Sequence, residues 1–351
     1  MNGDHVTVEK TNEAFRFNPE EDCQHAFLKG DVGGPAGALL NIYHDNWFGI
    51  RSAAAAMPGD KLVINPETIS PDHFESIAKT IASSGASFVC FQGFSEPLAQ
   101  LATYLKAHLG SALKLFAVSH VTSTQFQAPF EIRMQAALVR LLNEGVFERI
   151  GSVKPHFHEV VPQTWPKTLI NFCPTMQGIS ALPDVSRVFI PVENHWRKGL
   201  YTNLIAALRA SEVSIVRTVN EPKHLELIES LEKVSVTGFL SPERMVEEIS
   251  AAAAVMNVSL AECQPMTQLE AFALGRPCLT GPLGLEEFAD DELIRLCTVE
   301  GLDTPHGIIM KLEALLSLWR RDTIGMTQMI ANHVSHRQAL ALTRLNEFLG
   351  G

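Results

Sequence analysis

The sequence predicts an α/β protein of two doubly wound domains, and three observations predict it. Short apolar runs rich in β-branched or aromatic residues alternate with helical patterns along most of the chain, the signature of parallel sheets covered by helices on both faces. The alternation runs in two series, parted by a stretch at 173–184 that holds Pro174, Gly178 and Pro183, a composition suited to a connection. The length of 351 residues accommodates about two domains of ordinary size, each able to bury its own core.

Residues 1–36 are polar, lean acidic and precede the first clear strand. The strands predicted in the first series are 38–43, 61–65, 87–91, 114–119, 148–153 and 168–171, with helical segments between most of them. Those of the second series are 187–192, 214–218, 233–236, 255–259, 278–280 and 295–299. From 305 to 348 the pattern is largely helical, with Ile309, Leu312, Leu315 and Leu316 at three- and four-residue spacings. The expected division is a first domain over 1–173 including an N-terminal extension, a linker at 174–184, a second domain over 185–325, and a C-terminal helix over 326–351 that packs back on the first domain.

Composition narrows the function classes. No stretch approaches the roughly 18 to 20 uninterrupted apolar residues of a membrane-spanning helix, and Met1 to Phe15 carry charges without the apolar core of a signal peptide. The expectation is a cytoplasmic protein without integral membrane contact. Six cysteines lie far apart, several inside apolar runs, with no C-x-x-C pair, so neither a disulfide framework nor a zinc knuckle is predicted. A net charge of −11 opposes attraction to phosphate polymers, and small ligands are expected in place of nucleic acid.

The most informative stretch runs Ser259-Leu-Ala-Glu262-Cys-Gln264-Pro265-Met266-Thr267-Gln-Leu-Glu270 and on to Gly275-Arg-Pro277. It follows a strand and opens a helix near Pro265, a residue suited to the first helical position because its missing N–H has no intrahelical partner there. Glu262 then sits on the loop at the carboxyl edge of the sheet and Glu270 about a turn and a half into the helix. Both carboxylates can face the crevice outside the strand ends, where open α/β sheets bind ligands. The N–H groups of Gln264, Met266 and Thr267, with the helix dipole, suit phosphate or sugar hydroxyls. A carboxylate such as Glu270 can accept both hydroxyls of a ribose. Two glutamates eight apart are common as solvated surface residues; the ordered set of strand, loop, proline, helix and Gly-x-Pro distinguishes this pair.

On these residues the sequence resembles glycosyltransferase family 4, whose hallmark is Glu-x7-Glu in the second Rossmann-like domain of a GT-B fold, two such domains facing a cleft. The resemblance implies that Glu270 holds the ribose of a nucleotide, that Glu262 lies beside the transferred sugar, and that the loop from Gln264 to Thr267 contacts it. Arg197 and Lys198, at the end of an earlier strand, match the family's pair that clamps the donor diphosphate. Arg197 offers a planar fork of donors and Lys198 a compact charge; an isolated pair of this kind is otherwise an ordinary solvated one. Gly238, in Val-Thr-Gly238-Phe-Leu-Ser241-Pro242, matches the family's turn near the nucleotide base, while Ser241 and Pro242 read as an N-cap followed by the first helical residue.

The first domain offers less. His120 ends a strand where the family often places a histidine near the donor sugar, and a neutral imidazole there can bond a sugar hydroxyl or a backbone carbonyl. His44 and Trp47 follow the first strand and are expected to line the ligand side, the indole offering a flat face, although half-buried packing is the commoner use of such a Trp. The run from Gly33 to Gly37 lacks the G-x-G-x-x-G spacing and precedes a strand, so a nicotinamide site is rejected; the family's Gly-Gly loop after the first strand is missing. His156 and His158 have a strand-like metal spacing, but no acidic pair or cysteine completes a set, and the resemblance implies no essential metal.

The expected activity is transfer of a hexosyl group from a nucleoside diphosphate sugar to a glycan, lipid-linked or small-molecule acceptor, with retention implied by the family. No cofactor beyond the donor substrate is expected. The catalytic set is Glu262, Arg197, Lys198 and His120; the binding set is Glu270, Gln264, Pro265, Met266, Thr267, Gly238, His44 and Trp47. Two other classes stay open: a non-catalytic subunit on the same fold, since fold alone does not guarantee chemistry, and a nucleotide-sugar epimerase.

Overall fold

The computed structural model describes residues 6–8, 25–30, 38–65, 68–176, 183–220 and 231–350. The glycine run at 33–37, most of the N-terminal extension and Gly178 of the connection lie outside the described residues. The chain divides into two compact units, Met1–Phe172 with Ala339–Gly351, and Cys173–Gln338.

In the first unit the elements run β1 (Val6–Val8), β2 (His25–Leu28), β3 (Leu39–His44), α1 (Phe48–Ala56), β4 (Asp60–Ile64), α2 (Phe74–Ser84), β5 (Phe88–Gln92), α3 (Glu96–Leu109), β6 (Lys114–Ser119), α4 (Pro129–Asn143), β7 (Arg149–Ser152) and the short α5 (Phe157–Val160). The sheet order is β1-β2-β4-β3-β5-β6-β7, parallel except where β2 runs against β4. Leu40, Ile42, Val89, Phe91, Leu115 and Ala117 alternate onto one face and bury against α2, α3 and α4, the period-2 pattern that fixes register. Helix α2 stops at Gly85, which takes φ +75°, and α3 starts at Ser95, whose hydroxyl accepts from Leu98 N.

The second unit comprises β8 (Asp184–Ile190), α6 (Leu200–Arg209), β9 (Ile215–Thr218), β10 (Val234–Val236), α7 (Pro242–Ala251), β11 (Ala252–Asn257), α8 (Met266–Ala273), β12 (Cys278–Thr280), α9 (Glu292–Cys297), α10 (Pro305–Arg321) and most of α11 (Thr323–Leu349). Its sheet, β10-β9-β8-β11-β12, is parallel throughout. Strand β11, Ala252-Ala-Ala-Val-Met-Asn257, is buried at every residue, as a central parallel strand with both faces covered must be.

Two predicted strands are corrected. Residues 168–171 carry no strand: Leu169 N donates to Ser152 O, and one bond past the end of β7 does not make a ladder. The segment 295–299 is mostly helix, because Asp291 caps Ile294 N and Leu293 and Cys297, four apart, bury together; Thr298 alone bridges to Thr280. The stretch left unassigned at 1–36 contributes β1 and β2. Neither His156 nor His158 lies on a strand: His156 is the N-cap of α5 and His158 lies within it, and His156 Nδ1 lies 3.1 Å from Glu159.

Candidate functional site

Strand order places the site. In the second unit the chain moves from β8 through β9 to β10 on one side, then returns to β11 beside β8 and continues to β12 on the other. The connections leaving β8 and β11 therefore diverge, and their divergence opens the crevice at the carboxyl ends where such sheets take ligands. The first connection carries Arg197 and Lys198, the second Glu262.

Backbone and side-chain bonds join the two connections. Trp196–Lys198 form a 3-10 turn capped by His195, and Gly199 follows at φ +63°, a left-handed conformation that costs a side chain about 1 kcal/mol. A Cβ at Gly199 would also stand 3.1 Å from Val258 O. Asn203 of α6, fully buried, donates to Gly199 O and Val258 O at 2.8 Å and accepts from Val258 N at 3.1 Å. Leu260 N donates to Arg197 O, and Arg197 Nη1 to Ala261 O at 2.7 Å. Lys198 Nζ then reaches Glu262 Oε1 at 2.5 Å, with Arg197 Nη1 3.8 Å from Glu262 Oε2.

Three predicted residues thus meet, two cations on one carboxylate, with side chains 18%, 21% and 12% exposed for Arg197, Lys198 and Glu262. At that exposure the attraction is only partly screened, yet an anion can still arrive from solvent. An incoming diphosphate would compete with Glu262 for both cations, exchanging one charge-assisted contact for another.

Immediately downstream, Cys263 to Met266 are buried and Pro265 is the N-cap of α8, one position earlier than predicted. The first intrahelical bonds come from Gln268 N and Leu269 N to Pro265 O, so Met266 and Thr267 occupy the first turn, where the helix end carries partial positive charge. The Gln264 side chain accepts from Arg337 of α11. Glu270 lies half-buried on α8, and its charge reaches the Cys278 thiol, which burial first, then Cys297 and Glu270, push well up. Gly238 lies in the loop between β10 and α7, at φ +71°.

The remaining predicted residues belong to the first unit. His44 is corrected from a lining position: it is fully buried, its Nε2 lies 2.7 Å from Ser95 Oγ, and burial pushes the imidazole down to about 4. Trp47 is half-buried, packed edge-on against His44 at 4.5 Å between centroids, and Gly93 leaves room for its ring. His120 Nε2 lies 2.9 Å from Gln92 Oε1, and burial pushes this imidazole also to about 4; both rings are neutral at pH 7.

Sequence reasoning missed Asn203 and Arg337. A polar residue four beyond a loop glycine was a faint signal for the first, since side chains at that spacing fold back on the helix start. Arg337 is 50 residues or more from every predicted site residue, and only its burial marks it.

The family described as glycosyl transferases group 1 matches residues 197–317, a span that begins at Arg197 and encloses Glu262 and Glu270. No curated protein gives a significant sequence match. Among solved structures the chain is similar to sucrose-phosphate synthase from Thermosynechococcus elongatus, at a TM-score of 0.58 and 12% identity over 89% of this chain and 98% of that one. It is similar to Anabaena HepE in complex with UDP and glucose, at 0.53 and 12% over 97% and 95%. A putative UDP-N-acetylglucosamine 2-epimerase from Listeria monocytogenes is similar at 0.50 and 12%, over 84% and 90%. The protein thus has the GT-B fold. The matched span lies wholly within the second unit. Among the described residues no helix is long and apolar enough to cross a membrane.

Proposed function

We propose that the protein transfers a hexosyl group from a nucleoside diphosphate sugar to an acceptor hydroxyl, with retention at the anomeric carbon and without an essential metal. The observation that carries this reading is the convergence of Lys198 and Arg197 on Glu262 where the β8 and β11 connections diverge. Breaking the glycosidic bond to a diphosphate puts negative charge on the leaving oxygen. Two preorganised cations beside the first turn of α8 are suited to receive it.

In this reading Glu262, released from the cations by the diphosphate, turns to the sugar and stabilises positive charge developing at its anomeric carbon. Glu270 accepts the ribose hydroxyls, and Met266 and Thr267 present their backbone to the donor. Gly238 allows close approach of the base. The acceptor is a glycan, a lipid-linked sugar or a small molecule, and the reaction belongs in the cytoplasm.

The similarity to an epimerase structure supports a second reading, in which the donor is altered without an acceptor. Incubation with UDP-, GDP- and ADP-sugars separates them: slow hydrolysis to free sugar and nucleoside diphosphate is expected, with the product's first-formed anomer matching the donor's. Recovery of an isomerised nucleotide sugar would favour the epimerase. Full activity in both Glu262→Gln and Glu270→Gln would end the assignment of these two residues.

A further inference from the structure

Within the second unit, the loop that carries Glu262 is tied to a helix far away in sequence. Gln264 stands two residues after Glu262, directly before the N-cap of α8, and is buried. Its Oε1 accepts from Arg337 Nη2 of α11. Arg337 is itself buried, with its guanidinium 5.1 Å from the centroid of the Phe288 ring. Burial draws it down to about 10, so it stays cationic at pH 7. A guanidinium can only donate, and Gln264 must therefore turn its oxygen to α11.

Helix α11 is anchored on either side of Arg337. One turn earlier and on the same face, the Nδ1 of buried His333 lies 2.8 Å from Asp291 Oδ2. Asp291 Oδ1 in turn accepts from Ile294 N at 3.1 Å at the start of α9. One residue after Arg337, Gln338 donates to Cys173 O at 2.8 Å and accepts from Cys173 N at 3.1 Å. The His333 ring also packs on Phe272 of α8, with centroids 5.2 Å apart. Helix α8 therefore meets α11 at both ends, through Gln264 just before its first turn and through Phe272 in its last.

Filling this space does not require a charge. A methionine at 337 would occupy it without the desolvation that a buried cation entails. What the guanidinium adds is a bond of fixed direction to residue 264.

We infer that Arg337 is a positioning residue that acts through Gln264 to hold the loop bearing Glu262, so that the carboxylate is in place for the anomeric carbon of a nucleoside diphosphate sugar. The role toward the sugar rests on the proposed transferase reading; the hold on the loop does not. The two ligand parts should respond differently. Glu262 competes with a diphosphate for Lys198 and Arg197, so loosening it should not weaken diphosphate binding, whereas the chemical step needs it in place.

Amide exchange of the full chain, without ligand, tests the hold on the loop. Arg337→Met and Gln264→Met should each accelerate exchange across residues 263–269 about tenfold, the scale of one lost hydrogen bond. The double variant should exchange no faster than either, and Arg337→Lys, which keeps a charged donor, should lie between them and the wild type. Strands β8 and β9 should keep their protection. Wild-type protection of 263–269 in both single variants, or equal acceleration in β8 and β9, overturns the positioning role.

Turnover tests the role toward the sugar. On whichever UDP-, GDP- or ADP-sugar the wild-type chain hydrolyses, Arg337→Met should lower kcat about tenfold or more, since an ångström of misplacement can cost about a hundredfold. The Kd of the nucleoside diphosphate should be no weaker. Gln264→Met should show the same split, and the double variant should lose no more than the larger single loss. Losses that multiply, or a Kd that weakens in step with kcat, overturn the coupling. If Arg337→Met does not fold, Gln264→Met alone must show the split or the proposal fails. A wild-type chain that neither binds nor hydrolyses these donors overturns the transferase reading and the role toward the sugar with it, while the exchange pattern still decides the hold on the loop.

Discussion

At the scale of single residues, the second unit's candidate site is an electrostatic arrangement, whereas the first unit's predicted residues include two neutral imidazoles, His44 buried and His120 half-buried. Lys198 is held by Glu262 at 2.5 Å with both side chains partly exposed, so the pair contributes about 1 kcal/mol or less to folding. Lys198→Ala should therefore leave the melting temperature nearly unchanged while lowering turnover of a nucleoside diphosphate sugar by about a hundredfold or more, the cost of one preorganised donor at a developing charge. A variant that melts early and turns over normally would make the pair structural. His44 behaves in the opposite sense. Its folded pKa lies near 4, against the ordinary 6.5, because burial disfavours the charged ring. Between those values the unfolded chain binds a proton that the folded ring refuses. Stability from this group is full above about pH 6.5 and declines toward pH 4, by roughly 3 kcal/mol in all. His120, also near 4, and His333, lowered chiefly by burial, add slope in the same direction. Denaturant midpoints measured from pH 7.5 to 4 should slope less steeply in His44→Gln than in the parent chain, and parallel curves would refute the account. The carboxylate and cation pattern was legible because residue type, spacing and a preceding strand all occur within a short window. The burial of His44 was not, since it depends on Ser95, 51 residues away.

At the scale of elements, strands were legible wherever an apolar run exceeded what a helix turn would show. Strand β6 and strand β12 fall where the apolar runs end, and β11 differs from its reading by three residues at the start, where Ala252 to Ala254 suit either a helix or a buried strand. Helix α9 was hidden because Leu293, Ile294, Leu296 and Cys297 satisfy both periods over so short a span, and only the Asp291 cap decides between them. Strand β2 was hidden because four residues, His25-Ala-Phe-Leu28, become a strand by pairing with β4, a contact that no local pattern encodes. The same dependence on distant partners makes Asn203 informative. Its amide joins the start of α6 to the end of β11 through three bonds, so Asn203→Leu should cost about 2 to 3 kcal/mol by stranding buried backbone groups. It should also weaken nucleoside diphosphate binding, because Arg197 and Glu262 ride on the two segments it joins. Gly199→Ala tests the same joint from the backbone side, with an expected loss of about 1 to 2 kcal/mol from the left-handed φ and the approach to Val258 O. Affinity measured by calorimetry at a temperature where both variants are folded separates the two effects; undiminished affinity in both would detach the joint from the site.

At the scale of the whole molecule, the chain closes its first unit with its last residues. Helix α11 begins in the second unit, and its final stretch from Ala339 onward belongs to the first. There Phe348 is completely buried, 5.3 Å from the Phe116 ring and 5.5 Å from the Trp165 ring. Arg149 of β7 donates to the carbonyls of Glu347 and Phe348, which satisfies backbone acceptors at the end of the helix that have no intrahelical partner. Gly151, on the same strand, is small because a Cβ there would press on Leu169 and Phe348. The core of the first unit is thus completed by residues nearly 200 positions away in sequence, and its stability is tied to them by packing and by backbone satisfaction together. Phe348→Ala should remove about 3 to 5 kcal/mol, the range for a buried phenylalanine whose cavity cannot fully collapse. The loss should be uneven. Amide exchange should accelerate in β6 and β7, which Phe348 and Arg149 touch, while β8 and β11 in the second unit keep their protection, because exchange reports the stability of each cooperative unit separately. Equal acceleration in both sheets would mean that the two units unfold as one, and that the tail's contribution is not local to the first.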